Sequence, residues 1–266
     1  MNQLPLDKVG ITFEQKIADG IQLLQEFESS ALEYSPDGYY LCFSGGKDSV
    51  VVKDIAIRSG VKFTSNYSVT TIDPPELTRF IKHHHPDVIW HRPKIPMMKM
   101  IGKKGLPTRQ MRWCCELYKE QGGAGLVKVF GVRSAESPRR AKTWQPITAW
   151  KAKKDSWVVS PILSWSDKEV WQYIRSQKLP YCSLYDEGRK RIGCVGCPMS
   201  KRDIDFKRWP QFEKMWRKGA LLRWQVTQNK PESRAHRVFK SSDEWFDWWM
   251  SNQPMPKEND CQMGLF

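Results

Sequence analysis

Residues 39–50, YYLCFSGGKDSV, decide the fold that we expect for this chain. The apolar run at residues 40–43 is typical of a buried parallel strand. Gly45 and Gly46 then predict a sharp turn, because glycine adopts positive φ and has no Cβ to obstruct a ligand. A helix is predicted to begin at Lys47. Its free N–H groups and positive dipole end would face the turn, so the sequence predicts an anion-binding site there.

The side chains of this turn favour phosphate as the anion. Lys47 supplies a cation, and the hydroxyl groups of Ser44 and Ser49 supply hydrogen-bond donors. The turn is not a Walker loop, because the pattern G-x-x-x-x-G-K-[ST] is absent. The alternative is an ordinary glycine turn without a ligand. The candidate nucleotide-binding residues in the turn are Ser44, Gly45, Gly46, Lys47, Asp48 and Ser49.

The composition of the 266 residues, with 40% hydrophobic and 27% charged residues, is that of a soluble globular protein. No apolar run approaches the ~20 residues of a transmembrane helix, and the first residues lack a secretory signal pattern. We therefore expect a cytoplasmic protein without a membrane partner. The net charge of +14 and the 13 Trp residues suit a nucleic-acid surface. Alternatively, the cations serve a small anionic substrate and solubility, and the Trp side chains fill the core.

Charged residues follow two further predicted strands. Asp73 comes after a strand predicted at residues 61–69, where a carboxylate could bind Mg²⁺ or a ribose hydroxyl group. It could equally cap a helix over residues 77–82. Arg133 and Arg140 follow a strand predicted at residues 126–132. Since strand ends in an α/β sheet point to the ligand crevice, both guanidinium groups could bind a phosphate or sulfate.

The rest of the chain is predicted to be largely helical. Apolar residues recur at helical spacing over residues 12–34, and residues 166–169 form a capping box, S-x-x-E. The last quarter is rich in Trp, Lys and Arg, with helices predicted at 212–228 and 243–250. We expect a nucleotide-binding domain over residues 1–200, a basic helical extension over 201–251 and a mobile tail over 252–266.

Seven cysteines in an intracellular chain indicate metal binding or catalysis before disulfides. Cys114 and Cys115 are adjacent, and Cys194 lies 79 positions after Cys115 and forms a C-x-x-C motif with Cys197. Four thiolates can bind a [4Fe–4S] cluster or a structural zinc ion. The residue pattern by itself does not distinguish an iron–sulfur cluster from a zinc ion.

The SGGKDS sequence at residues 44–49 resembles the pyrophosphate loop (PP-loop) of the ATP pyrophosphatase superfamily, whose fold is adenine nucleotide alpha hydrolase-like. That resemblance implies that ATP binds with Mg²⁺ and is split between its α and β phosphates, usually to adenylate a substrate. It also implies catalytic roles for Lys47 and Asp48.

The cysteine spacing resembles the [4Fe–4S] motif of assimilatory adenylylsulfate (APS) reductases. Residues 162–200 are similar to further parts of the APS and phosphoadenylylsulfate (PAPS) reductase family, and Arg133, Glu136 and Arg140 are similar to its substrate-anion motif. The resemblance implies an α/β fold, a parallel twisted sheet with helices on both faces. In this chain a helical Trp/Lys/Arg-rich C-terminal region would follow. It also implies that a [4Fe–4S] cluster lies near the substrate, held by Cys114, Cys115, Cys194 and Cys197.

Two departures separate this chain from those reductases. Their phosphate loop is usually degraded, whereas the full loop of this chain suits ATP better. The reductases end in Glu-Cys-Gly-Leu-His, whose Cys attacks sulfur, while this chain ends in DCQMGLF at residues 260–266. Cys261 is therefore either a catalytic nucleophile or an incidental thiol of the tail.

Three functions follow from the resemblance. The first is ATP-dependent sulfur transfer onto DNA or tRNA, with sulfur from a cysteine desulfurase carried by the cluster, Cys261 or Cys182. The second is reduction of APS or PAPS to sulfite by Cys261, with a thioredoxin-like electron donor. The third is a nucleotide- and cluster-dependent regulator that binds DNA. The family likeness and the Asp260–Cys261 pair favour reduction, while the full phosphate loop and the +14 charge favour sulfur transfer.

Overall fold

Six short strands form one sheet in this computed structural model, which describes residues 10–149, 157–230 and 233–257. The strands are β1 (Tyr39–Cys42), β2 (Phe63–Ser68), β3 (Ile89–His91), β4 (Lys128–Val129), β5 (Ile147–Ala149) and β6 (Trp157–Val159). Their order across the sheet is β3-β2-β1-β4-β6-β5. Every neighbouring pair is parallel except β5 and β6, which are antiparallel. The predicted parallel sheet is thus confirmed, with one antiparallel edge strand.

Helices connect and follow these strands. They are α1 (Phe13–Glu26), α2 (Glu28–Tyr34), α3 (Lys47–Ser59), α4 (Pro75–His84), α5 (Met97–Lys104), α6 (Trp113–Tyr118), α7 (Pro138–Thr143), α8 (Asp167–Ser176), α9 (Arg202–Arg208), α10 (Pro210–Thr227), α11 (Arg234–Val238) and α12 (Ser242–Ser251). None of the helices in the described ranges has the length and apolar character needed to cross a bilayer.

The chain forms two compact units. Unit 1 consists of Met1–Ser68, Pro75–His91 and Gln121–Ile192, and unit 2 consists of Val69–Pro74, Arg92–Glu120 and Gly193–Phe266. The predicted domain boundary at residue 200 stays a prediction. The units are not divided at one point, because three separate pieces of the chain form unit 2.

The core of unit 1 is built around β1 and α3, whose apolar side chains Leu41, Val51 and Ile55 are all buried. Helix α1 packs on α3, and the Tyr39 hydroxyl group donates a hydrogen bond to the Leu24 carbonyl oxygen at 2.7 Å. Since burial of such side chains contributes about 1.5–3 kcal/mol each, this core fixes the strand and helix that flank the predicted phosphate loop.

Helices α5 and α10 pack closely in unit 2. A Cβ built on Gly219 would lie 3.0 Å from Ile101 Cβ, so the two helices approach each other too closely for a larger residue. The indole rings of Trp216 and Trp249 stack with centroids 4.9 Å apart. Helices α10 and α12 confirm the helices predicted at 212–228 and 243–250, and with them the helical C-terminal region.

Many of the Trp side chains lie in the core. Trp165 in unit 1 is buried, as are Trp209, Trp216, Trp245 and Trp249 in unit 2. The core interpretation of these Trp residues is therefore the correct one. Because these indole rings are buried, they do not form an exposed aromatic surface for nucleic acid. The sequence feature that still favours nucleic-acid binding is the net charge.

Several element boundaries differ from those predicted. The helix predicted over residues 12–34 breaks at Phe27, whose φ of −101° and ψ of 3° leave helical geometry, so that α1 and α2 are separate. The strand predicted at 61–69 is confirmed as β2, and the strand predicted at 126–132 contracts to the two residues of β4. Apolar periodicity predicts the element, but hydrogen bonding to neighbouring strands determines its length.

The beginning of the predicted tail makes specific contacts. Trp248 Nε1 donates a hydrogen bond to the Pro254 carbonyl oxygen at 3.0 Å. Arg234 donates to the Pro256 carbonyl oxygen at 3.5 Å. Residues 258–266, which include Cys261, lie outside the described residues.

Candidate functional site

The predicted phosphate loop lies between β1 and α3. Helix α3 begins at Lys47, as predicted, with Gly46 as its extended N-cap. Gly45 has φ of +72°, and a Cβ at this position would lie 2.7 Å from Ile81 Cδ1 and from Leu77 Cδ1. Glycine is required here both by the backbone conformation and by the close packing of α4.

Two serine hydroxyl groups stabilise the loop. Ser44 Oγ donates to Ser49 Oγ at 3.2 Å, and Ser49 Oγ donates to the Gly46 carbonyl oxygen at 2.8 Å. The turn is thus closed on itself by its own side chains. Both hydroxyl groups lie at the start of α3, where a phosphate oxygen could replace either partner.

Four charged residues of unit 1 form a closed ring at this loop, which we call the charged ring. Lys47 Nζ lies 3.3 Å from Asp48 Oδ2 and 3.0 Å from Asp167 Oδ1. Arg133 Nε lies 2.6 Å from Asp48 Oδ1, and Arg133 Nη2 lies 3.1 Å from Asp167 Oδ1. Each cation therefore contacts both carboxylates, and the ring has no net charge.

Burial is unequal around the charged ring. The Lys47 and Arg133 side chains are 5% and 4% exposed, whereas that of Asp167 is 63% exposed. Burial by itself would raise the pKa of Asp167, but hydrogen bonds and charges from Lys47 and Arg133 lower it below its usual value. Asp167 is therefore ionised at neutral pH and, together with Asp48, neutralises the two buried cations.

We expect Asp167→Asn to strengthen the binding of pyrophosphate by about 3- to 5-fold. An incoming phosphate competes with Asp167 for the two cations, and exposed ion pairs contribute about 0.2–1 kcal/mol. Isothermal titration with pyrophosphate measures the change, and Asp37→Asn, at an exposed position outside the ring, is the matched control. Weaker binding in Asp167→Asn would contradict this account and assign Asp167 to positioning the cations.

Arg133 reaches the loop because the chain approaches α3 very closely at Gly131. A Cβ on Gly131 would lie 3.0 Å from the Asp48 carbonyl carbon, so glycine permits the approach. Glu136 lies beside Arg133, where its Oε1 accepts a hydrogen bond from Arg133 N at 3.2 Å. Arg140 forms a salt bridge with Glu136 Oε2. Of these predicted anion-binding residues, Arg133 is a member of the charged ring, and Glu136 holds the Arg133 backbone.

Sequence analysis missed two residues of this site. Asp167 was predicted only as part of the capping box, which the structure confirms through Ser166 and Glu169. Tyr185 was not predicted at all, yet its hydroxyl oxygen accepts a hydrogen bond from Lys47 N at 2.9 Å. Burial raises the pKa of Tyr185, so the hydroxyl group stays protonated. The Tyr185 hydroxyl oxygen thus accepts a hydrogen bond from an N–H group at the start of α3 that would otherwise be free to donate to a phosphate.

Asp73 belongs to unit 2. Its Oδ2 accepts a hydrogen bond from Thr70 N and its Oδ1 accepts one from Thr70 Oγ1, both at 2.8 Å. These bonds close a local turn. The predicted roles of Asp73 toward Mg²⁺ or ribose stay predictions.

Unit 2 also contains the four cysteines that the sequence analysis grouped. Cys114 and Cys115 lie in α6, and Cys194 and Cys197 precede α9. A hydrogen bond with Cys115, burial and the charges of all three other thiols raise the pKa of Cys114. The same hydrogen bond, with help from the charge of Lys119, lowers the pKa of Cys115. The pKa of Cys114 thus responds to the other three thiols of unit 2.

The chemistry of this donor set fits a thiolate-bound metal centre. Four Cys side chains are the ligand set of both [4Fe–4S] clusters and structural zinc. Across residues 10–149, 157–230 and 233–257, however, no three His, Cys, Asp or Glu side chains converge as metal ligands. The four Cys side chains are suitable metal ligands and lie in the same unit. Metal binding itself stays a prediction.

The C-x-x-C turn is held by aromatic rings. Gly196 has φ of +75°, and a Cβ there would lie 2.6 Å from Phe206 Cζ and 2.7 Å from Trp216 Nε1. Trp216 Nε1 donates a hydrogen bond to the Val195 carbonyl oxygen at 3.1 Å. The buried Asp205 accepts hydrogen bonds from Gly196 N and Ser200 Oγ. The positions of Cys194 and Cys197 are therefore fixed by the core of unit 2.

Two other thiols are poorly suited to nucleophilic attack. Cys182 is fully buried, and burial raises its pKa. Burial also raises the pKa of Cys42 to about 12. A thiol attacks as its thiolate, so neither residue is a good sulfur carrier. Cys261, the predicted nucleophile, lies outside the described residues.

A protein-family model and several curated proteins match the chain. The family model described as phosphoadenosine phosphosulfate reductase domain matches residues 38–200. An uncharacterized protein of Methanocaldococcus jannaschii is 26% identical over 233 residues, which cover 80% of this chain and 48% of that protein. An adenosine 5'-phosphosulfate reductase of Salinibacter ruber is 36% identical over 103 residues, 36% of this chain and 40% of that protein. The chain thus spans about half the length, or less, of these relatives.

Solved structures share the fold. The phosphoadenylyl-sulfate reductase of Candida auris, in a phosphate complex, has a TM-score of 0.50 at 18% identity, covering 72% of this chain and 99% of that chain. The FMN adenylyltransferase of Candida glabrata, in complex with ATP, also has a TM-score of 0.50 at 15% identity, covering 68% of this chain and 61% of that chain. At this level of identity the likeness establishes the fold.

Proposed function

The chain belongs to the phosphoadenosine phosphosulfate reductase domain family, and from that premise we propose that it is an enzyme that splits ATP to AMP and pyrophosphate. The observation that supports ATP is the complete loop of residues 44–49 together with the charged ring. Two cations, Lys47 and Arg133, are nearly fully buried at the start of α3, and each forms ion pairs with Asp48 and Asp167. They would bind the β and γ phosphates of ATP.

The residues of the loop would favour cleavage between the α and β phosphates. The bridging P–O bond breaks as an acceptor oxygen attacks the α phosphorus, and the leaving pyrophosphate gains negative charge. The Lys47 and Arg133 side chains and the N–H groups of α3 other than that of Lys47 are fixed in place before the reaction, so they would stabilise that charge without reorganising. ATP would arrive as its Mg²⁺ complex, which adds a further positive charge.

We propose that the adenylated acceptor then receives sulfur. AMP is a good leaving group, so a sulfur nucleophile can replace it on the acceptor. Cys114, Cys115, Cys194 and Cys197 would hold a [4Fe–4S] cluster, with zinc as the alternative metal, and a cluster would supply sulfur or electrons when bound. A cysteine desulfurase is the class of donor that could provide the sulfur. The net charge of +14 supports DNA or tRNA as the acceptor.

Reduction of APS or PAPS is a second candidate, favoured by a different observation. Relatives named adenosine 5'-phosphosulfate reductase match up to 65% of the chain, among them that of Allochromatium vinosum at 27% identity over 198 residues. In this reaction the Cys261 thiolate would attack the sulfate sulfur and release AMP from APS, or adenosine 3',5'-bisphosphate from PAPS. A thioredoxin-like dithiol would then reduce the sulfocysteine and release sulfite.

Product analysis separates the two candidates. We expect anaerobically purified protein to form AMP and pyrophosphate from ATP labelled in the α phosphate, with stimulation by DNA or tRNA. Sulfite formation from labelled APS or PAPS, without AMP from ATP, would reject sulfur transfer in favour of reduction. Retention of that sulfite formation in Cys261→Ser would reject a reduction in which the Cys261 thiolate attacks sulfur. Salt-sensitive DNA binding without turnover of either substrate would reject both candidates and leave a regulator.

A further inference from the structure

The Tyr185 hydroxyl group lies at the start of α3, within unit 1. Tyr185 is the last residue of a 3₁₀ turn over Ser183–Tyr185. Its hydroxyl oxygen accepts a hydrogen bond from Lys47 N at 2.9 Å, and a Cβ built on Gly46 would lie 3.4 Å from the same oxygen. Lys47 Nζ lies 5.9 Å from the centroid of the Tyr185 ring. The phenol therefore lies against the glycine turn at the point where the loop becomes a helix.

The donor of this hydroxyl group has no partner among the described residues. A phenolic hydroxyl group can accept hydrogen bonds and can donate one. Lys47 N uses an acceptor position, and across the ranges that the structure describes no atom accepts the Tyr185 proton. Burial raises the pKa of Tyr185, so the proton stays on the oxygen at neutral pH. The group is therefore a neutral donor that is available to a ligand.

Helix α8 positions both Tyr185 and the charged ring. Trp171 of α8 packs against the Tyr185 ring at nearly a right angle, with centroids 5.1 Å apart and planes at 86°. Asp167, the first residue of α8, contacts Lys47 and Arg133 in the charged ring. The phenol is thus held by the same helix that supplies one carboxylate of the site. A donor that is fixed before its ligand arrives loses little freedom on binding.

The phenol changes which donor the start of α3 presents to an anion. The first N–H groups of a helix have no acceptor within the helix, so they donate to an anion bound there. Here the Lys47 N–H already donates to Tyr185, and the hydroxyl group takes its place as the donor. A hydroxyl group that accepts one hydrogen bond donates another more strongly, because hydrogen bonds in a chain polarise one another.

We propose that Tyr185 donates a hydrogen bond from its hydroxyl group to a phosphate oxygen of the polyphosphate bound at the loop, in place of the Lys47 N–H. This inference rests on the proposed function, in which the β and γ phosphates of ATP bind at the start of α3. Lys47 and Arg133 supply positive charge there, whereas Tyr185 supplies a neutral donor in a fixed position. Tyr185 is thus a phosphate-binding residue that orients the polyphosphate and adds no charge to the site.

Isothermal titration of the full chain with pyrophosphate tests this role. We expect Tyr185→Phe to bind pyrophosphate at least about 5-fold more weakly than wild type, because hydrogen bonds to charged groups are stronger than those between neutral groups. The phenylalanine ring keeps the contact with Trp171, so the variant should fold. Tyr181→Phe is the matched control. It removes a hydroxyl group that donates to Asp186 Oδ1 at 3.0 Å, from a ring that also packs on Trp171, and it should match wild type.

Salt dependence separates a direct donor from an indirect effect. Because the phenol is neutral, the ratio of the Tyr185→Phe and wild-type affinities should be the same at low and high salt. A ratio that returns to one at high salt would overturn the proposal and assign the effect to a disturbed charged ring. Unchanged binding in Tyr185→Phe, or a wild type that does not bind pyrophosphate, would overturn it as well. Tighter binding in Tyr185→Phe would overturn it by showing that the phenol blocks the Lys47 N–H.

AMP formation from ATP is measured separately from pyrophosphate binding. A wild type that forms no AMP, but whose pyrophosphate binding is weakened by Tyr185→Phe, would reject the proposed ATP cleavage and support this contact. Failure of the proposed function therefore gives a different result from failure of this inference.

Discussion

Lys47→Met is expected to lower ATP-dependent AMP formation by at least about 100-fold in kcat/KM. Lys47 is one of the two buried cations of the charged ring, and it lies at the first turn of α3. Removing a single fixed donor that stabilises developing charge lowers rates by about 10²–10³. Steady-state assays with ATP labelled in the α phosphate measure the loss.

The fold should survive this substitution. Asp48 keeps its contact of 2.6 Å with Arg133, and the other partner of Lys47, Asp167, is largely exposed to water. Lys82→Met, which removes an exposed charge from α4 in the same unit, is the matched control and should keep wild-type activity. An unchanged kcat/KM in Lys47→Met would show that the loop does not bind the reacting phosphates.

Gly38→Ala is expected to lower the free energy of unfolding by about 2–5 kcal/mol. Gly38 has φ of +70°, and a Cβ there would overlap the backbone carbonyl oxygen of Lys62. The left-handed conformation costs a residue with a side chain about 1–2 kcal/mol, and overpacking adds about 1–3 kcal/mol. Because Gly38 directly precedes β1, the alanine would displace the strand that leads into the phosphate loop.

Gly60→Ala separates the cost of the left-handed backbone conformation from the cost of the steric overlap, the two contributions expected for Gly38→Ala. Gly60 has φ of +72°, almost the same as Gly38, but a Cβ there meets no atom within 4 Å. Urea denaturation should therefore give a loss of about 1 kcal/mol for Gly60→Ala, the backbone contribution alone. Equal losses for the two variants would contradict the proposed contact with Lys62.

Local patterns in the sequence were sufficient to predict the structural elements around the phosphate loop. The loop, the start of α3 at Lys47 and the capping box at residues 166–169 all depend on residues within a few positions of one another. The glycine turn at Gly38 is also local, since Gly38 N donates to the Ser35 carbonyl oxygen. Such short-range rules need no knowledge of the tertiary fold.

The partners of the loop could not be predicted in this way. Tyr185 contacts Lys47 across 138 positions and Arg133 contacts Asp48 across 85 positions. Arg133 was identified because it follows a strand, and strand ends meet at one edge of a parallel sheet. An aromatic residue after a helix and an acidic residue within a capping box have common structural explanations, so Tyr185 and Asp167 gave no comparable signal.

For the cysteines too, the sequence predicted some features of the structure and not others. Spacing grouped the four cysteines, and all four lie in unit 2, although no three metal-ligand side chains converge among the described residues. Spacing did not reveal that Trp216 and Trp249 are core residues or that Arg202 is buried against the Trp249 ring. Side-chain burial depends on how α9, α10 and α12 pack, and composition alone cannot distinguish a buried Trp or Arg from an exposed one.

Comparison of ATP and AMP affinities by isothermal titration tests the central claim most directly. If the charged ring and the start of α3 bind the β and γ phosphates, ATP should bind at least about 10-fold more tightly than AMP, because charge-assisted hydrogen bonds contribute about 1.5–3 kcal/mol each. Pyrophosphate should compete with ATP, and Lys47→Met should abolish the difference. Equal affinities of wild-type protein for ATP and AMP would contradict the claim that this loop is an ATP site.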